Sequence, residues 1–513
     1  MKYIESSLND TLRGIRLFAH KYVMRVSASL VFFASSFISV AIMARYVGEA
    51  YGMMMWGMAF VAILNNALDL GFYSANIKKI SEGKDLNKCV STYLAISIAV
   101  STITVCLVLV SFLAIGLLGD SLPTEFWAVA AVFVGYFILN NMNLVVRGTF
   151  TGRMEGGKES IILTTEYLVR SAILIILAVL GTSAVVLSLG YVIGSACALL
   201  VALTLFRPLK VKLTRPAFFK EYSTFIVPLA VPMVLFAIIA YLDRMMIGVF
   251  YDELEVAFYA AAMGIVYAFV TIGVVMNGLL LSHMSKLDAK EKKDEARNTL
   301  WAAQKYLAVL MLPATVFLFI FGNETSVALF SDGFAASGPI MSVLALYIFL
   351  AVLAGLFSQV LLSMNRTVRY GRVATVHAIA TILLFLILIP GSLFGSMAAG
   401  TGAALSLVLG NLLFVLLLIA SIRRIGAPGI YPRLFIHVAA ALVLAGLLYL
   451  VKIYLEPSGL ISLALLSLVS ITVYVIVLAA VKEISKKDVH FIRDAMSPKN
   501  LYEDLMDEIK NER

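Results

Sequence analysis

Long apolar runs alternate along the chain with short polar stretches. Each run is of the order of 20 residues, enough for an α-helix to cross a hydrocarbon core about 30 Å thick. None shows the strict polar–apolar alternation of a transmembrane barrel strand. The pattern predicts fourteen membrane-spanning helices, at residues 23–44, 51–74, 89–118, 124–146, 161–181, 184–206, 222–249, 256–282, 300–321, 336–364, 372–390, 396–421, 432–451 and 458–481. Ahead of them, residues 8–22 read as an amphipathic interfacial helix with Leu8, Leu12, Ile15 and Phe18 toward lipid. That stretch lacks the short apolar core and cleavage site of a signal peptide. Residues 482–513 form a charged tail, in which Val489, Ile492, Leu501 and Leu505 suggest short amphipathic helices.

Composition agrees. The 513 residues are 61% hydrophobic and only 14% charged, with mean hydropathy +0.96. A soluble domain carries about a quarter charged residues. Cys89, Cys106 and Cys197 have neither metal-site nor disulfide-framework spacing and read as small core residues.

The net charge of +9 gains meaning from its placement. Odd connections carry only Arg45 and Lys452 as cations, against Asp120, Glu125, Asp252, Glu253, Glu255, Glu324, Asp332 and Glu456. Even connections and both ends carry nearly all the rest, such as Lys78, Lys79, Lys84 and Lys88, or Arg207, Lys210, Lys212, Arg215 and Lys220. Basic loops are cytoplasmic, so both termini are expected in the cytoplasm and the chain in the cell membrane. A miscount by one span would scramble this alternation. The positive charge is therefore topological and calls for no nucleic acid.

The chain also divides. Span one ends "MARYVGEAYG" and span seven "IGVFYDELEVAFYAAA"; each long helix meets a short outer turn and a Tyr-containing next helix, and a basic inner loop follows. The offset is six spans, an even number, so the halves repeat in parallel, as in many transporters. The expected organisation is an N-terminal segment 1–22, an N-lobe 23–206, a linker 207–221, a C-lobe 222–421, an extra helix pair 422–481 and a tail 482–513.

Several stretches occur in the order seen in polysaccharide transporters: "ARYVGEAYG" (44–52), "LDLGFYSANIKKISEG" (68–83), "LVVRGTFTGRMEGGKESI" (144–161), "LDRMMIGVFYDELEVAFYAAA" (242–262), "LFSDGFAASGPIMSVLAL" (329–346) and "GTGAALSLVLGN" (400–411). Over spans one to twelve the chain resembles the O-antigen and oligosaccharide flippases of the multidrug/oligosaccharidyl-lipid/polysaccharide (MOP) exporter superfamily. The resemblance implies an all-α polytopic fold with two six-helix lobes in a V, plus two C-terminal helices. It implies alternating access and a lipid-linked oligosaccharide as cargo, carried from the cytoplasmic to the outer leaflet. The final pair is similar to that of the lipid-linked peptidoglycan precursor flippases, where it forms a groove for the lipid tail.

No Walker-type glycine loop and no HExxH is present, and the outer loops are short for a lipid-donor glycosyltransferase. What remains is a carrier, not an enzyme, with membrane lipids and glycan-assembly enzymes as further partners. No cofactor is expected. The energy source is left open between membrane potential, an H⁺ or Na⁺ gradient, and consumption of the cargo. Span one contains no Asp or Glu, which disfavours the rival reading of a cation-coupled multidrug exporter.

An anionic head crossing the membrane needs a cationic cavity, and arginine's planar fork suits phosphate best. Arg170 lies about nine residues into span five, roughly 13 Å along the helix and near the midplane, with Glu166 one turn earlier. Arg244 lies ~28 Å along span seven beside Asp243. Two readings stand for it: snorkelling to the outer interface, or facing the outer cavity while Asp243 serves a gate. Neighbours i and i+1 diverge by about 100°, so the two are not expected to share one partner. Arg25 and Arg45 bracket span one, as phosphate contacts or anchors, and Lys305 either joins them or snorkels inward. Asp69 is a gate, a coupling-ion site or a helix cap. Asn140 and Asn141, with Asn143 beside Arg147, line the inner vestibule or satisfy a helix end; His377 and Asn411 read as interhelical hydrogen-bonders. Pro228 and Pro232 are expected to bend span seven.

Overall fold

The computed structural model describes residues 2–117, 122–289, 293–364, 366–391, 398–425 and 429–483. Its side chains are described from Val31 onward, except at 228–229, 272, 274–289, 293, 295 and 398. The interfacial face expected at 8–22, the side chains of Arg25 and Pro228, Asp120 and the tail beyond Glu483 lie outside these residues.

The helices are α1 (Lys2–Asp69), α2 (Phe72–Ser81), α3 (Leu86–Leu117), α4 (Thr124–Gly152), α5 (Gly156–Val179), α6 (Ala184–Phe206), α7 (Phe219–Phe250), α8 (Glu253–Ala289), α9 (Lys293–Phe330), α10 (Ser337–Ser363), α11 (Thr367–Leu388), α12 (Ala398–Arg423), α13 (Leu434–Leu455) and α14 (Leu460–Ala480). Among the described residues, 13 helices are long and apolar enough to cross a membrane. The first of these, Val31–Asp69, has 39 residues, ~58 Å of helix or nearly two hydrocarbon cores. It breaks at Val47 (φ −140°, ψ 46°). The first limb runs antiparallel to α8: Phe33 meets Phe269, Val40 abuts Gly264, and Gly52 beyond the break reaches the Glu253 carbonyl. The second limb returns beside α4, with Trp56 on Phe126 and Asn65 on Asn141. α1 is thus two crossings, which among the described residues makes the fourteen that the hydropathy pattern predicts, and the chain is a multi-pass membrane protein.

Three details depart from expectation. Span two stops at Asp69 because Leu70 (φ 50°) and Gly71 (φ 91°) turn through the left-handed region. The basic loop expected next begins instead as α2, which buries Phe72, Ala75, Asn76 and Ile80 at helical spacing. Span nine continues to Phe330 through a kink at Phe321 (φ −107°, ψ 25°). There the Lys452 Nζ donates to the freed Ile320 carbonyl at 2.8 Å and pairs with Glu324 at 2.8 Å. Third, Cys106 is exposed and not a core residue.

The segment after α6 lies across the start of α3, its backbone donors satisfied by side chains. Lys212 N–H donates to Asn87, Thr214 N–H to Ser91, and Ala217 and Phe218 N–H to Thr92. At the centre, α8 packs on α1 and α10. Val256, Ala257, Tyr259, Ala261, Ala262 and Val266 are all completely buried; the small residues let helix backbones approach. α13 and α14 pack on α9. Glu483 holds their basic-side end, accepting from Tyr431 Oη at 2.5 Å, with Arg433 at 3.4 Å and His437 at 3.5 Å.

Candidate functional site

Arg170 is past the middle of the 24-residue α5. Gly194 of α6 passes against it: a Cβ there would lie 2.7 Å from the Arg170 Cβ, so only glycine permits the approach. The guanidinium lies 5.2 Å from the Tyr167 ring centre and 4.9 Å from that of Tyr191. Glu166 is 3.9 Å away and buried. The i, i+4 pair thus forms as its spacing predicts, inside the protein.

The Arg244 side chain does not snorkel outward. It is 8% exposed and Asp243 1%, because α7 turns this face toward α1 and α8; distance along a helix sets depth, not which neighbour the side chain meets. Nor do the two neighbours lack a common partner. Tyr259 Oη donates to Asp243 Oδ2 at 2.7 Å, and the Arg244 guanidinium lies 6.0 Å from the same ring and 5.9 Å from that of Tyr241. The long arginine stem folds back, so that Nη1 donates to the Ala240 carbonyl at 3.1 Å and stands 3.9 Å from Asp243.

Tyrosines connect the two arginines. Tyr51 of α1 is within electrostatic reach of both Tyr191 and Arg244. Tyr136 of α4 reaches Glu166, Arg170 and Tyr241, and Tyr241 reaches Tyr191. This shell of tyrosines escaped the sequence reading. Its signal was present: a tyrosine within an apolar run carries a hydroxyl that must find a partner.

The other candidates go elsewhere. Arg45 is exposed beside the Val47 break. Lys305 is half-buried, 5.9 Å from the Tyr306 ring centre, and within electrostatic reach of His437 on α13. Its neighbour Gln304 clamps the connection between α12 and α13, donating to the Gly429 carbonyl and accepting from Tyr431 N–H. Asp69 accepts from the backbone of Gly71 and Tyr73, as a cap, and from Tyr93 Oη at 3.5 Å. Asn141 turns into a buried network with Asn65 and Ser101, both at 2.9 Å. Asn140 is half-buried. Asn143 donates to Ser195 of α6. His377 bonds the Gly410 carbonyl of α12, whereas Asn411 donates within its own helix.

Chemically, the centre offers two arginines, Arg244 buried and Arg170 13% exposed, each beside a carboxylate and clad in aromatic rings. Arg244 Nε has no hydrogen-bond partner among the described residues. Such a site can hold an anion while its tyrosines pack against and hydrogen-bond a polar head. The described residues contain no group of three or more His, Cys, Asp or Glu placed to hold a metal ion.

The fold is that of MOP superfamily transporters. The lipid II flippase MurJ in an inward closed conformation superposes with TM-score 0.72 at 17% identity, over 89% of this chain and 97% of that one. An inward-facing multidrug resistance MATE family transporter gives 0.58 at 12% identity, over 79% and 98%. A MOP superfamily transporter from Pyrococcus furiosus gives 0.56 at 14% identity, over 80% and 95%. No curated protein matches the chain. With the MOP fold and the arginine–tyrosine centre in place, the model of the Polysaccharide biosynthesis protein family matches residues 24–281, half of the sequence, and the chain belongs to that family.

Proposed function

We propose that this protein is a flippase that moves a polyprenyl-(pyro)phosphate-linked oligosaccharide from the cytoplasmic to the outer leaflet by alternating access between its two six-helix lobes. The observation that carries this reading is the pairing of Arg170 and Arg244 with tyrosines inside the protein. A cationic-drug cavity has no use for two such inward-facing arginines, whereas a phosphate does. The lipid II flippase among the structural matches and the polysaccharide family support the cargo class. Each arginine has an acid beside it, which keeps the guanidinium compensated until the phosphate arrives and eases release afterwards. The lipid tail stays in the bilayer. The basic connections face the cytoplasm, by the positive-inside rule, and the chain makes and breaks no covalent bond of its cargo. Glycan-assembly enzymes supply or consume that cargo. An H⁺ or Na⁺ gradient, with Asp69, Glu166 or Asp243 as the coupling carboxylate, is one driving force; the membrane potential is another.

The test is flipping in proteoliposomes, with a labelled polyprenyl-pyrophosphate oligosaccharide. Wild type should translocate it, and folded Arg170→Ala and Arg244→Ala should each lose at least tenfold in rate, the loss of one charge-assisted bond. Wild type that flips nothing, yet expels organic cations against an H⁺ or Na⁺ gradient, would overturn the reading.

A further inference from the structure

Nearer the basic side of the molecule, α2, α4, α5 and α7 meet around two buried donors. Arg147 Nε on α4 and Asn76 Nδ2 on α2 have no acceptor among the described residues. Asn76 is completely buried, and its other end is engaged: Oδ1 accepts from Tyr222 Oη of α7 at 2.8 Å. That bond orients the amide and leaves Nδ2 as the unused end. The donors adjoin. Gly148 follows Arg147, and a Cβ on it would lie 3.0 Å from the Tyr73 ring and 3.2 Å from Asn76 Nδ2. Arg147 is itself within electrostatic reach of Tyr73, Tyr167, Glu159 and Glu166, yet none of them accepts from Nε. Buried donors are nearly always satisfied. Two donors from different helices, both unsatisfied, suit a ligand with several acceptor oxygens, and a guanidinium selects an oxyanion.

We infer that Arg147 and Asn76 form a phosphate-binding site which precedes Arg170 and Arg244 on the cargo's path; its place on that path rests on the flippase reading. Arg170 connects to it directly, since Glu166 and Tyr167 lie within reach of both arginines. The phosphate would move from one arginine to the next, each tempered by a neighbouring acid so that no stop holds it too tightly.

The test is calorimetric titration of the full chain in lipid nanodiscs with polyprenyl monophosphate, with neutral polyprenol and with inorganic phosphate. Wild type should bind the polyprenyl monophosphate and not the polyprenol. Asn76→Asp keeps the acceptor for Tyr222 but turns the donor into an oxygen, and should weaken binding about tenfold or more. Arg147→Gln should do the same, and Arg147→Lys should recover little, because lysine lacks the fork. Thermal melts establish which variants fold; if Arg147→Gln does not, Asn76→Asp carries the test. Inorganic phosphate bound as well as the lipid, and weakened by the same variants, supports the anion site with free phosphate as its ligand. Unchanged polyprenyl monophosphate affinity in folded Asn76→Asp overturns the site, as does wild type that binds neither phosphate. The flippase reading fails separately: a protein that binds through Asn76 and Arg147 but moves no lipid-linked oligosaccharide keeps this site and loses that function.

Discussion

Asp243 and Arg244 show what a buried charge requires of its neighbours. Asp243 has the Tyr259 hydroxyl, the Arg244 backbone N–H at 2.7 Å and the charge of the arginine. Arg244→Ala therefore leaves a buried carboxylate with a hydroxyl and a backbone N–H but no counter-charge, and breaking a buried pair from one side costs about 3–5 kcal/mol. Asp243→Asn combined with Arg244→Gln removes both charges and should melt much closer to wild type. Thermal melts in detergent decide; a double variant no more stable than Arg244→Ala would contradict this account. A glycine gives a second expectation at this scale. A Cβ on Gly52 would lie 1.8 Å from the backbone oxygen of Glu253, so the turn of α1 and the start of α8 touch main chain to main chain. Gly52→Ala should destabilise by about 1–3 kcal/mol, as overpacking does, whereas an unchanged melt would mean that this contact is easily parted.

Among the elements, the helices were legible in the sequence and some of their breaks were not. Apolar length marks a crossing, and the Val47 break falls in the outer turn expected between spans one and two, whereas the Leu70–Gly71 corner and the Phe321 kink depend on neighbours. Lys452 is a good instance. It stood out as a cation on the acidic side, but its role needed α9, a helix more than a hundred residues away. Its ammonium ties α13 to the kink through Glu324 and the Ile320 carbonyl. Lys452→Met should lose roughly 1–3 kcal/mol, the range for leaving a partly buried acceptor unmet, and loosen the α13–α14 pair. Faster amide exchange around Ile320 would report it; unchanged exchange with an unchanged melt would show the tie to be idle.

Across the whole molecule the two membrane faces close differently. On the acidic side, Gly48, Gly52 and Gly248 allow close contact with Phe334, Glu253 and Trp56. On the basic side, α2 and the turn after it meet α7 through charges near the surface: Lys79 lies 3.3 Å and Lys84 3.9 Å from Glu221. Exposed pairs contribute only about 0–1 kcal/mol each, which suits a contact that must open in every cycle. At the end of α2 itself, the hydrogen bond between Lys79 and Glu82 holds Glu82 below 4.5 and Lys79 above 10.5, their ordinary values. The contribution of Glu82 is present above pH 4.5 and lost as pH falls through its lowered pKa. That of Lys79 is present below pH 10.5 and lost as pH rises through its raised pKa. Between about pH 5.5 and 9.5 that pair, and with it the Lys79 charge that α7 meets, should thus be indifferent to pH, and about 1 M salt should weaken the contact. Distance measurements between spin labels on α2 and α7 test both; a distance that shifts between pH 6 and 9 would refute the charge assignment.

The sequence by itself determined the membrane class, the number of crossings, the alternation of basic and acidic connections, and that Glu166 and Arg170 share a helix face. Each follows from interactions local in the chain: hydrocarbon thickness, loop charge, helical period. Only the tertiary structure decided that Arg244 is buried, that Asn141 bonds Asn65 and Ser101 across helices, that six helices bring tyrosines to the two arginines, and that the α4 backbone beside Arg147 abuts Asn76. Apolar helices in a membrane look alike on every side. Which side meets protein depends on contacts far apart in sequence, and periodicity carries no record of the partner.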